Sequence, residues 1–276
     1  MRSSLEVFDM NARTSHVLWQ SPDLFEAPNW HPTEDKLLIN GNGRLFWVHL
    51  DGSGLDPIDT GFATSCNNDH GISPDGTTII LSDKTETSES CIYTIPIEGG
   101  PPTRITSRIP SYWHGWSPDG AQLAYCARRD GAYHIAVCAS HGGNETQLTS
   151  ANAHHDGPDY SPDGQWIWFN SDRSGTSEIW RVRPDGSDLT QMTEDERVNW
   201  FPHPSPNGTD VIYLAYPEGT LQHPRDLDVE LRRMNADGSG KETLLALFGG
   251  QGTINVPCWS PDGDRFAFMR YGPAVK

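Results

Sequence analysis

The chain has 276 residues, with 27 Gly, 21 Pro and 10 Trp spread along it. That is enough for one large core, yet no apolar pattern at helical spacing is sustained, which excludes a helical bundle. Its formal charge of -17, from 37 acidic against 20 basic residues without a long run of either sign, argues against nucleic acid or an anionic lipid surface as partner. No stretch approaches the roughly eighteen apolar residues of a membrane span, so no membrane insertion is expected.

The chain opens on two short strand patterns, "SLEVFDMN" and "HVLWQ", and residues 1–20 lack the apolar run of a secretory signal. Five cysteines (Cys66, Cys91, Cys126, Cys138 and Cys258) are odd in number and lack CxxC spacing. They read as reduced core thiols, and the chain as cytoplasmic.

A repeat then takes over. "HPTE" at His31 is followed by "SPDG" at Ser73, Ser117, Ser161 and Ser260 and by "SPNG" at Ser205, and the six prolines are 42, 44, 44, 44 and 55 residues apart. Proline presets φ for a tight turn, Asp tolerates the next position, and Gly accepts the left-handed conformation that lets the following strand pair back. Each unit reads as four strands; around Ser161 they fall near Gly157–Tyr160, Trp166–Asn170, Glu178–Arg183 and Leu189–Thr193. The strand after the turn ("TIIL", "LAYC", "WIWF", "VIYL", "FAFM") is apolar on both faces, as a sheet sandwiched between neighbours requires.

Period and strand count predict an all-β, six-bladed β-propeller of four-stranded antiparallel blades, one domain over residues 1–276 without a linker. After Pro261 the chain runs short of strands, so the N-terminal pair is expected to complete the last blade and close the ring. With aromatic-SPDG units at Trp116, Tyr160 and Trp259 and "SDRSG" at Ser171, the chain resembles the TolB-type β-propellers. Similar repeats occur in the propellers of dipeptidyl peptidases and oligogalacturonate lyases, so the resemblance implies the fold and leaves the activity open. The 276 residues leave no room for a hydrolase domain beside the propeller and carry no G-x-S-x-G elbow, so a serine hydrolase is not expected.

The residues ahead of each turn are expected at the mouth of the central channel. Three positions before the turn, Pro28, Pro158, Pro202 and Pro257 recur, whereas two neighbouring units carry His70 and His114 instead. The candidate ligand-binding residues are Asn68, His70, His114, Arg128, His155, Asp156, Asn199, Trp200 and Asn255, beside Glu26, Asn67, Asp69 and His154; none is assigned a catalytic role. Trp113, Trp200 and Phe201 are expected to be exposed there, and His203, one place out of register, to be structural. The longest spacing places an enlarged loop over Tyr216–Asp228, with His223, Arg225, Asp226 and Asp228 as second-tier candidates.

The expected function is a non-catalytic binding propeller, TolB-like, that holds a protein, peptide or small polar ligand at the channel mouth. The alternative is a carbohydrate-active enzyme similar to oligogalacturonate lyases, with a divalent cation on His70, His114 and His155 and Arg128 clamping a uronate carboxylate. No cofactor is firmly implied otherwise.

Overall fold

A computed structural model describes residues 2–150 and 153–272. Five four-stranded antiparallel sheets follow one another. The first holds β3 (Phe25–Trp30), β4 (Lys36–Gly41), β5 (Arg44–His49) and β6 (Leu55–Pro57); the second β7 (Cys66–Ile72), β8 (Thr78–Asp83), β9 (Cys91–Pro96) and β10 (Thr103–Arg104). The third holds β11 (Ser111–Trp116), β12 (Gln122–Arg129), β13 (Ala132–Ala139) and β14 (Thr146–Gln147); the fourth β15 (His155–Tyr160), β16 (Ile167–Ser171), β17 (Glu178–Val182) and β18 (Thr190–Gln191). The fifth comprises β19 (Val198–Pro204), β20 (Asp210–Tyr216), β21 (Leu227–Asn235) and β22 (Glu242–Gly249).

The sixth blade joins the two ends of the chain: β23 (Arg265–Gly272) pairs with β1 (Arg2–Asp9), which pairs with β2 (Thr14–Ser21). Its inner edge is less regular than in the other blades. There the Cys258 carbonyl accepts Ala267 N–H at 2.9 Å and Trp259 bridges to Phe266. The molecule is thus a six-bladed β-propeller with its ring closed by the N-terminal strands. No helix forms among the described residues, so none is long and apolar enough to cross a membrane.

Side-chain hydrogen bonds explain the repeated turn. Ser73 Oγ donates to Asp75 Oδ1 at 2.6 Å and accepts Thr78 N–H at 3.0 Å, and Gly76 takes φ of 73°. Ser117, Ser161, Ser205 and Ser260 repeat the bond to Asp or Asn two residues on. In the divergent first copy, His31 Nδ1 accepts the N–H groups of Thr33 and Glu34 in place of the serine.

Core packing lies between blades. On β16, Trp168 points toward blade five, meeting Val211 and Tyr213, while Ile167 and Phe169 point toward blade three, meeting Ala124 and Ile135. On β8, Ile79 and Leu81 face blade one and Ile80 faces blade three. This two-sided burial is why the second strand of each unit lacks polar alternation. All five cysteines are buried free thiols.

Candidate functional site

A bulge in the innermost strand of each of blades one to five redirects side chains near the channel. Pairing with the second strand slips between Glu26 and Asn29, Cys66 and His70, Trp113 and Gly115, Asp156 and Asp159, and Trp200 and His203. Pro28, Pro158 and Pro202 sit inside these bulges, where a missing N–H sacrifices no ladder bond. The recurring proline therefore marks the bulge. In blade three the bulged residue is His114. In blade two the bulge is made by Asn67, Asn68 and Asp69, and His70 resumes the ladder opposite Leu81.

Bulged residues of blades two, three and five, with ladder and loop residues beside them, surround a cavity of about 350 Å³ at the channel mouth. Asn67, Asn68 and Asp69 line it from blade two, Tyr112, His114, Cys126 and Tyr133 from blade three, and His154 and Asp156 from blade four. Phe201 of blade five, Gln251 and Asn255 ahead of β23, and Gln222 and His223 of the enlarged loop complete the wall.

His114 is held on both sides. Its Nδ1 faces the Asn255 carbonyl at 3.2 Å, and its Nε2 lies 3.2 Å from Asp156 Oδ1 and 3.8 Å from Asp69 Oδ1. Burial opposes a charged imidazole here, but the hydrogen bond to Asp156 and the charges of Asp69 and Asp156 outweigh it, so the pKa of His114 is raised. The same pairing acts on Asp156: burial alone would raise its pKa, yet His114 at 3.2 Å and His154 at 3.6 Å hold it well below the usual carboxylate range.

Asp69 behaves differently. Burial lifts its pKa to about 6, against His114 and with the Asp156 charge, although Asn67 Nδ2 donates to it at 2.5 Å and Asn255 Nδ2 at 2.7 Å. His154 stacks on Tyr133 with centroids 4.5 Å apart, and Asp156 raises its pKa against the effect of burial. His223 wedges edge-on against Trp200 at 4.4 Å and Phe201 at 5.3 Å, and burial lowers its pKa.

Of the residues singled out from sequence, Asn68, His114, Asp156 and Asn255 line this cavity; His70, Arg128, His155, Asn199 and Trp200 do not. His70 follows the bulge and is fully buried away from the channel, where burial pushes its pKa down to about 4. His155 and Asp156 point to opposite faces of β15. His155 consequently packs between His134 and Phe169, neutral, with its pKa down to about 3 through burial and the nearby charges of His134, Arg173 and His154.

Asn199 is tied to Glu178 at 2.9 Å and Asp195 at 3.2 Å, joining blades four and five. Arg128 is exposed at the rim, its guanidinium 5.8 Å from the Tyr133 ring. The expected exposure of Trp113, Trp200 and Phe201 is corrected: all three are buried. Trp113 fills the space over Gly71 of the preceding blade, and the enlarged loop roofs the other two with His223.

His203 is a brace, with Nδ1 3.0 Å from Asp159 Oδ2 and Nε2 2.7 Å from the Ile254 carbonyl. Arg225 of the enlarged loop approaches Glu26 at 3.6 Å; Asp226 and Asp228 do not line the cavity. Sequence reasoning did not single out Tyr112, although it stands five places before its turn as Asn68 and Asp156 do, nor Tyr133 and Gln251, which lie outside the residues flanking the turns. Asp69 and His154, noted only as neighbours of the candidates, belong to the wall. For Asp69 the available signal was its place among the polar residues ahead of the second turn, next to Asn67 and Asn68.

Among the described residues no three His, Cys, Asp or Glu side chains are arranged to hold a metal ion. Of His70, His114 and His155, only His114 reaches the cavity, so that set does not fit a shared cation.

The sequence profile of the TolB beta propeller domain matches residues 113–235. An uncharacterised protein of Agrobacterium fabrum (strain C58) is 53% identical over 274 residues, 99% of this chain and 94% of the relative. A solved structure from Agrobacterium tumefaciens, provisionally assigned as a TolB, is 52% identical, with a TM-score of 0.96 and 99% of each chain covered. The chain belongs to the TolB β-propeller family. Within the TolB-like fold likeness extends to the TolB of Acinetobacter baumannii, at 18% identity and a TM-score of 0.71 over 91% of this chain and 64% of that one.

Proposed function

We propose that this TolB-family propeller is a non-catalytic binding module that holds a small polar ligand or a peptide segment in the channel-mouth cavity. The observation that carries the reading is the convergence of polar side chains from five blades on one cavity, with His114 fixed between Asp69 and Asp156 and the enlarged loop forming part of the wall. A volume near 350 Å³ lies at the small end of the range for ligand sites. The lining thiol supports binding over covalent chemistry: burial pushes the pKa of Cys126 well above its ordinary value, and its Sγ is 3.3 Å from the His155 carbonyl.

Thermal-shift and calorimetric screens of peptides and polar small molecules test this, using the wild type with His114→Ala and Asn68→Ala. Ligands that bind the wild type should weaken in both folded variants. Binding that neither change affects would place the site elsewhere. A stabilisation by divalent cations together with uronates, lost in His114→Ala, would favour the lyase-like alternative instead.

A further inference from the structure

We propose that residues 217–226, the enlarged loop between β20 and β21, are a lid: lifting them uncovers an aromatic floor and joins the channel-mouth cavity to the groove beside it. Its bearing on ligands rests on the binding reading above; the movement itself does not.

The loop is held by little. Among the described residues its one hydrogen bond to the rest of the chain runs from Gln251 N–H to the Pro224 carbonyl, at 3.3 Å. Arg225 stands 3.6 Å from Glu26, outside hydrogen-bond reach. By contrast, β20 and β21 on either side of the loop are laddered to their neighbours.

The closed position also carries costs that a lifted loop sheds. Gln222 and Asp226 take φ of 58°, a left-handed conformation that residues with a side chain adopt rarely. His223 Nδ1 is sealed from solvent without a partner, and its Nε2 is 3.7 Å from Asp156 Oδ2. Against these costs stands the packing of one ring, that of His223, on Trp200 and Phe201.

Gln222 and His154 each line both the cavity of about 350 Å³ and a groove of about 430 Å³ that runs past Ser177, Asp195 and Trp200 of blades four and five. With Gln222 and His223 withdrawn, Trp200 on the groove side and Phe201 on the channel side form one floor. The closed cavity suits a small molecule. The open cleft, spanning both volumes, takes an extended peptide segment, the larger of the two ligand classes proposed above.

Hydrogen exchange of indole N–H groups, followed by NMR in the isotope-labelled whole chain, tests the lid without any ligand. Trp200 under the loop and Trp113 between blades two and three form a matched pair. They are 3% and 0% exposed, and the indole N–H of each is sealed and has no partner. Trp200→Phe and Trp113→Phe assign the two signals. Loop opening frees Trp200 alone, so it should exchange faster than Trp113 by about fivefold or more. Arg225→Ala loosens the loop where it meets Glu26, and should raise the Trp200 rate by about twofold or more while leaving Trp113 unchanged.

A Trp200 rate less than about fivefold above that of Trp113 overturns the lid. So does a Trp200 rate that folded Arg225→Ala leaves unchanged, because the indole would then open without the loop. If that variant folds poorly, the contrast within the unaltered protein still decides. Failure here leaves the binding reading standing, and failure of the peptide and small-molecule screens leaves the lid standing.

Discussion

Replacing Glu26 with Gln should make the protein less sensitive to alkaline pH. Glu26 sits at the junction of blades one and six, its side chain 15% exposed, with Arg225 as its charge partner at 3.6 Å. Burial is the largest influence and lifts its pKa from 4.5 to about 7; Arg225 pulls down, while Asp69 and Asp226 add to the rise. A carboxyl whose folded pKa is raised holds a proton that the unfolded chain has already released. Its stabilising contribution is therefore complete below pH 4.5 and is lost as pH rises through about 7.

The shift corresponds to about 3 kcal/mol, or roughly 6–12 °C in melting temperature for a chain of this size. Gln mimics the protonated carboxyl at every pH. Thermal unfolding of wild type and Glu26→Gln at pH 5 and pH 8.5 should show near-equal stability at the lower pH and a more stable variant at the higher. An offset that is the same at both pH values, or a variant less stable than wild type at pH 8.5, would refute the reasoning. Asp69, whose pKa burial also lifts, adds to the alkaline loss in both proteins and largely cancels in the comparison.

Gly71→Ala should destabilise by about 1–3 kcal/mol, because a methyl group there would lie 2.1 Å from the ring of Trp113, which is fully buried and has nowhere to move; chemical denaturation measures the loss. Leu5→Ala removes a fully buried side chain from the N-terminal strand that closes blade six. It should lower stability by about 2–5 kcal/mol, and a change near zero by urea unfolding would show that closure by β1 contributes little.

The ring was legible because its causes are local and repeated. Ser-Pro-Asp-Gly specifies a hairpin by turn chemistry, and five apolar runs after it specify strands covered on both faces; the short C-terminal count calls for β1 and β2 in blade six. The candidate site was legible only in part. The proline at a fixed offset signals an anomaly, but whether the side chain at that place faces the channel depends on bulge length. His114 occupies a short bulge and turns inward; His70 follows a longer one and is buried away from it.

The sequence by itself determined the period, the turns, the two-sided strands and the closure, since each depends on interactions within one unit or between adjacent ones. Only the tertiary structure decided which polar residues meet. Asp69, His114, Asp156 and Asn255 come from four different blades, and 186 positions separate the hydrogen-bonded pair Asn255 and Asp69. Closure of the ring brings such residues together, and in blades two and three the length of the bulge sets which side chain turns to the channel.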